Sequence, residues 1–245
     1  MMKQFVYSFF RFFGLRISRF IIEDHIKREN YFRFHRIYRK YSEFTMIPEM
    51  AFHDNLFLTE KFSEINGAIV ECGVWRGGMI AAMTEIAGNS KEYFLFDSFE
   101  GLPEAKTIDG TEARNWQKNK SGDHYFDNCS ADVKYAEQAM RLSGTKKFHI
   151  VKGWFKDTLS TSGVEKIAVL RLDGDWYDST MECLVQFYPK VVNGGIIILD
   201  DYYFWEGCSR AVHDYLSGNG LTDRIHKTEN GLAYIIKDEV IKRSW

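Results

Sequence analysis

Residues 170–180 read Leu-Arg-Leu-Asp-Gly-Asp-Trp-Tyr-Asp-Ser-Thr. The apolar run Ile167 to Leu172 leads straight into Asp173, Asp175 and Asp178. A buried strand does not end in three carboxylates for packing reasons, because unpaired buried charge is too costly. These acids must meet water, a cation or a ligand. A second edge of the same kind lies downstream, where Gly194 to Leu199 (G-G-I-I-I-L) stops at Asp200-Asp201. If the two strands are parallel neighbours, four acids converge at the carboxyl edge of one sheet, where open α/β sheets bind ligands. A hard divalent ion asks for that donor set.

Upstream, residues 67–78 read G-A-I-V-E-C-G-V-W-R-G-G. Ala68 to Val70 form a short strand ended by Glu71, and Gly73, Gly77 and Gly78 allow a tight turn into a helix from about Met79. The spacing is E-x-G-x-x-x-G-G rather than G-x-G-x-x-G, so a pyrophosphate site is not favoured. A plain tight turn is the alternative for this segment alone. The next strand, Tyr93 to Phe96, ends at Asp97, and an acid there suits hydrogen bonding to ribose hydroxyls. Together the two fragments point to a nucleoside-containing cofactor.

The remaining chain alternates strand and helix signals. Glu49 to Ile65 carries Phe52, Leu56, Phe57 and Phe62 at helical spacing. Asp132 to Leu142 reads as a helix and Lys147 to Val151 as a third strand. Gly153-Trp154-Phe155 opens a turn where an aromatic could flank a planar base, a core tryptophan being the alternative. A helix over Tyr177 to Tyr188 and another from about Cys208 to Leu216 follow. Arg224 to Lys227 and Leu232 to Lys237, joined by Glu229-Asn230-Gly231, give a hairpin. Five βα units and a terminal hairpin make a doubly wound α/β sheet with helices on both faces. Glu104 to about Ser130 is polar and aperiodic, and a stretch that long inside one domain is a lid or is disordered. His124 and Tyr125 lie in it, and a lone histidine there is more often incidental than catalytic.

A chain of 245 residues, 45% hydrophobic and 27% charged, is long enough for one sizeable domain. The formal charge of -2 gives no global attraction to nucleic acid. Cys72, Cys129, Cys183 and Cys208 form no C-x-x-C pair. A disulfide frame or zinc site is therefore disfavoured, and a reducing compartment such as the cytoplasm is expected. No repeat or long linker divides the chain. Residues 1–44 stand apart as an aromatic, basic extension expected to be helical, with ten Lys/Arg against three Asp/Glu up to residue 41. Arg11, Arg16 and Arg19 break its apolar run below the length of a membrane span. Two readings compete: helices packing aromatics on the main domain or a second copy, or a helix resting on an anionic bilayer.

Asp173, Asp175, Asp200 and Asp201 also make chemical sense as a set. Magnesium takes oxygen ligands in octahedral geometry and keeps positions open. Positive charge beside a hydroxyl makes it more acidic, and a carboxylate off the metal can take the proton. The alternative, that these acids only cap helices, suits Asp178 next to Ser179. For the others it requires two acidic strand ends by coincidence.

The motifs I-V-E-C-G-V-W-R-G-G, F-D-S-F-E-G-L-P, K-G-W-F-K-D-T-L, L-R-L-D-G-D-W-Y-D-S-T-M and L-D-D-Y resemble the macrocin O-methyltransferase family, in order, from about Thr45 to Lys237. The resemblance implies S-adenosylmethionine- and magnesium-dependent methylation of a sugar hydroxyl. It also implies the class I methyltransferase (Rossmann-like) fold, a mostly parallel seven-stranded sheet with its last strand antiparallel, over residues 45–245 with a lid at about 102–130. Asp173, Asp200 and Asp201 match the family's metal ligands, and Asp175 the acid acting as base. Glu71 with Gly73, and the turn Asp97, Ser98, Phe99, Glu100 and Gly101, match cofactor-binding motifs, as do Thr45 and Met46. Asp173 adjoins the cofactor, Trp154 sits where the adenine end is expected, and charge places Arg76 near the methionine carboxylate. The expected partner is a sugar-containing small molecule, with peripheral membrane contact or self-association through the N-terminus. A catechol-like diol as acceptor, or a non-catalytic cofactor-binding protein, are the other readings.

Overall fold

The computed structural model describes residues 29–122 and 125–238. Residues 1–28, which hold most of the basic extension, and His124 lie outside them. Residues 29–41 are helical (α1), followed by α2 (Glu49–Phe62), β1 (Ala68–Cys72), α3 (Gly78–Ala87) and β2 (Tyr93–Asp97). Then come α4 (Gly110–Lys118), α5 (Val133–Ser143), β3 (Phe148–Lys152) and the one-turn α6 (Phe155–Thr158). β4 (Ile167–Leu172), α7 (Tyr177–Phe187), β5 (Val191–Leu199), α8 (Glu206–Gly218), β6 (Ile225–Lys227) and β7 (Ala233–Ile236) complete the order.

One seven-stranded sheet runs β3-β2-β1-β4-β5-β7-β6. β1 to β5 pair in parallel, and β7 runs antiparallel to both β5 and β6. The expected class, with the Asn230-Gly231 hairpin at its end, is the one observed. Because side chains alternate across a strand, each strand supplies two cores. Ile69, Leu95, Val169, Ile196 and Ile198 face α1, α2, α3 and α5, while Val70, Phe96, Leu170, Ile197 and Leu199 face α7 and α8. Phe34, Ile37 and Tyr41 of α1 and Phe44 just after it are buried in the first core. The described part of the extension therefore packs on the domain. Among the described residues no helix is long and apolar enough to cross a membrane. All four cysteines are free.

One expectation fails locally. Residues 104–130 are not aperiodic throughout, since α4 occupies Gly110–Lys118. Its only buried residues are Gly110 and Ala113, so the apolar stripe is too narrow for a sequence period to register.

β1 and β4 approach so closely beyond their ends that only glycine fits at Gly73. Its φ is +86°, and a Cβ there would lie 1.7 Å from the Asp173 carbonyl oxygen. Pairing continues past the strands, with the Asp173 N–H donating to the Cys72 carbonyl and the Asp200 N–H to the Leu172 carbonyl. That ladder sets the two acidic ends side by side. Gly73→Ala should therefore cost about 3 kcal/mol or more of stability in urea unfolding. Wild-type stability would mean that the two ends can separate freely.

Candidate active site

The carboxyl ends of β1, β2, β4 and β5 open into a cavity of about 790 Å³, within the range of small-molecule sites. Met46, Gly73, Asp97, Ser98, Gly101 and Trp154 line it, with Asp173, Asp175, Asp200 and Asp201. One carboxylate oxygen each of Asp173, Asp175 and Asp201 lies within 4.8 Å of the others. The sequence sets Asp200 beside Asp173 and Asp201 as a ligand and Asp175 apart as base. In the structure Asp175 joins the cluster, and Asp200 Oδ1 is 2.6 Å from Arg171 Nη2. Asp200 also interacts with the Asn55 side chain.

The backbone builds this cluster. Asp175 has a left-handed φ of +58°, strained for a residue with a Cβ. Its N–H donates to Asp201 Oδ2 at 2.9 Å, which holds the two turns together. Trp205 Nε1–H donates to Asp175 Oδ1 at 2.8 Å. Burial, then the charge of Asp173, pushes the Asp175 carboxyl up to about 8. Burial pushes Asp200 up to about 6 against the pull of Arg171, and raises Asp201 with repulsion from Asp175 and Asp173. Desolvated oxygens that repel one another are the donor set a hard divalent cation relieves. The residues present therefore fit magnesium.

At the other end, Asp97 organises the glycine turn. Its Oδ2 accepts from the N–H groups of Val74 (2.8 Å) and Trp75 (2.9 Å), and Oδ1 from Phe99 (2.6 Å). With two lone-pair directions per oxygen, Oδ1 retains one free acceptor site, enough for a ribose hydroxyl. Ser98 shapes the following turn, accepting from the Glu100 N–H and donating to the Gly101 carbonyl.

Thr45, Glu71, Arg76, Phe99 and Glu100 do not line the cavity. Thr45 Oγ1 accepts from the Ile47 N–H. The Arg76 guanidinium lies between the Trp75 and Tyr135 rings and donates to the Glu43 carbonyl, so the charge argument that set it against a cofactor carboxylate does not describe its position. Glu71 does not cap β1 at its rim but is fully buried inside it, paired with Arg171 at 2.6 Å and accepting from the Ile80 N–H. Asp178 pairs with Lys106 rather than capping α7.

Sequence reasoning missed an aromatic wall. Trp116 of α4, Trp176 and Trp205 meet edge to face, with centroids 5.3 to 6.1 Å apart. Trp176 Nε1–H donates to the Pro103 carbonyl, and Asp109 accepts from the Tyr177 N–H. The stretch from Pro103 to Trp116 is thus fastened to the turn that carries Trp176 and Tyr177. Phe204, 79% exposed, also lines the cavity. Three tryptophans and a phenylalanine next to an acid cluster were the available signal.

This strand order, with a ligand cavity at the carboxyl edge and an acid closing β2, defines a class I methyltransferase fold. The O-methyltransferase NovP structure superposes with a TM-score of 0.69 at 27% identity, covering 80% of this chain and 83% of that one. The calicheamicin methyltransferase CalS11 matches the fold at a TM-score of 0.60 and 18% identity, over 83% and 90% of the two chains. The sequence model described as Macrocin-O-methyltransferase (TylF) matches residues 43–237, and the chain belongs to that family of S-adenosylmethionine-dependent O-methyltransferases.

Among relatives, the mycinamicin III 3''-O-methyltransferase of Micromonospora griseorubida is 34% identical over 180 residues, 69% of this chain and 68% of that one. The 8-demethyl-8-(2,3-dimethoxy-alpha-L-rhamnosyl)-tetracenomycin-C 4'-O-methyltransferase of Streptomyces olivaceus is 32% identical over 171 residues, 67% and 64% of the two chains. The demethyldecarbamoylnovobiocin O-methyltransferase of Streptomyces niveus is 33% identical over 173 residues, 66% and 63%. The chain thus spans about two thirds of the length of these relatives.

Proposed function

We propose that the chain methylates a hydroxyl of a sugar-containing small molecule, with a magnesium ion held at the ends of β4 and β5. The observation that carries the reading is the close set of Asp173, Asp175 and Asp201 oxygens inside the cavity. When bound, S-adenosylmethionine supplies an electrophilic methyl group and magnesium a positive charge beside the acceptor hydroxyl.

The chain's own residues do the rest. Asp173 and Asp201 of this set, with Asp200 as the family resemblance implies, would hold the metal, and Asp175 stands beside them. Asp175 takes the hydroxyl proton at Oδ2, since Trp205 occupies Oδ1. Asp97 Oδ1 receives a ribose hydroxyl, and Trp154 flanks the adenine end. Segment 102–130 serves as the lid, and Trp116 and Trp205 exclude water above the acids. A sugar acceptor is supported by the Streptomyces olivaceus relative, whose name specifies a rhamnosyl-bearing compound. The proposed compartment is the cytoplasm, which four free thiols support.

The test is mass spectrometry of nucleotide-linked and glycan-linked sugars after incubation with methyl-labelled S-adenosylmethionine. Label on a sugar, lost with chelator, is expected. Label only on a non-sugar diol would replace the acceptor, and full activity in excess chelator would remove the metal. Separately, Asp97→Ala should weaken S-adenosylmethionine binding at least roughly tenfold by calorimetry. Unchanged affinity would leave Asp97 a purely structural organiser of the turn.

A further inference from the structure

Among the described residues, Arg171 is the largest charged side chain that the fold hides completely, at 0% exposure in the middle of the sheet. It sits on β4 opposite Glu71 of β1 and Ile198 of β5. Asp173 and Asp200 come two residues beyond Arg171 and Ile198, so alternation brings them to the same face of the sheet. The guanidinium meets acids on both neighbouring strands. Nη1 donates to Glu71 Oε1 at 2.6 Å and to Asp173 Oδ2 at 2.7 Å. Nη2 reaches Asp200 Oδ1 at 2.6 Å, and Nε donates to Asn55 Oδ1 on α2 at 3.0 Å.

An apolar residue at this position would hold the sheet together as well as a buried ion network does, and often better. The network does something packing cannot. The planar guanidinium holds one oxygen of Asp173 by a hydrogen bond and one of Asp200 by a close ion pair, which sets the spacing of the two. Both carboxylates still line the cavity, where one oxygen of Asp173 lies close to those of Asp175 and Asp201. Asn55 anchors the fork to α2, and Glu71 anchors it to β1 and to the N-terminal turn of α3. Supported from two sides, the strand-end carboxylates hold their orientation before any cation arrives.

We infer that Arg171 is a positioning residue: it preorganises Asp173 and Asp200 for a divalent cation through a fork braced by Glu71 and Asn55. The inference rests on the magnesium reading above, and its test needs no acceptor. Mn2+ binding to the full chain, saturated with S-adenosylmethionine, is titrated by electron paramagnetic resonance, with melting followed in parallel. Arg171→Met should weaken Mn2+ binding at least tenfold, and Arg171→Lys, which keeps the charge but not the fork, should recover only part of it. Asn55→Ala leaves the charge in place but removes a side chain that braces both Arg171 and Asp200, so it should weaken Mn2+ binding severalfold. It also serves if Arg171→Met does not fold.

The opposite sign decides against the inference. If Arg171 merely neutralised its neighbours, Arg171→Met would make the site more negative and Mn2+ would bind more tightly. Tighter or unchanged binding in Arg171→Met, or unchanged binding in Asn55→Ala, overturns the positioning role and leaves the magnesium reading standing. No Mn2+ binding by the wild-type chain overturns both.

Discussion

Asp173→Asn should lower methyl transfer by about a thousandfold while S-adenosylmethionine still binds within a few fold of wild type. The substitution keeps shape and removes one negative charge from the set formed with Asp175 and Asp201. Asparagine retains a carbonyl oxygen to accept from Arg171 Nη1, so the buried network need not collapse. What is lost is anionic donor character in a water-poor site, where each charge counts for more than in solution. The cofactor end stands on Asp97 and the glycine turn, tied by its own backbone bonds, and is expected to survive. Two measurements check this: turnover of the acceptor found by mass spectrometry, and calorimetry with the cofactor. Turnover near wild type would end the proposal that the strand ends hold a catalytic metal.

The second large effect belongs to Asp175. Replacing it with asparagine should reduce kcat by about a hundredfold to ten-thousandfold with little change in KM, the range a positioned base supplies. The pH dependence carries a sign that tests the same role. A base must be ionised, and burial with the nearby Asp173 charge raises this carboxyl to about 8. The rate should therefore fall as pH drops through that region. A bound divalent cation favours the ionised form and should move the falling limb to lower pH. Trp205→Phe removes a hydrogen bond that stabilises the carboxylate, so the limb should move the other way, with a loss of about tenfold. A limb that stays in place in Trp205→Phe would show that another group takes the proton.

The features legible in the chain are those with local causes. Acid-terminated apolar runs announced β2, β4 and β5, and Asn230-Gly231 announced the β6–β7 turn. Glycine spacing placed the β1–α3 turn, although the close contact that requires Gly73, the Asp173 backbone, lies a hundred residues away. The illegible features depend on distant partners. Glu71 reads as the end of a strand, but its partner is Arg171. That arginine sits inside the apolar run of β4 and so passes as a tolerated interruption. A charged residue within each of two buried strands was the signal, since neither could stay unpaired. That Asp175 would join the cluster and Asp200 meet Arg171 was equally hidden, because side-chain direction beyond a strand end follows turn geometry rather than spacing. Helix α4 escaped notice because its anchor, Trp116, packs on tryptophans of other segments rather than on its own periodic face.

The cavity draws its two halves from different kinds of chain. The acids stand on strand tips locked by sheet pairing, whereas Trp116, Phe126 and Phe204 come from stretches outside the sheet. Exchanging 102–130 or 202–205 between related enzymes should therefore redirect acceptor choice while the reacting groups keep their places. A family built this way can diversify its products by swapping its periphery.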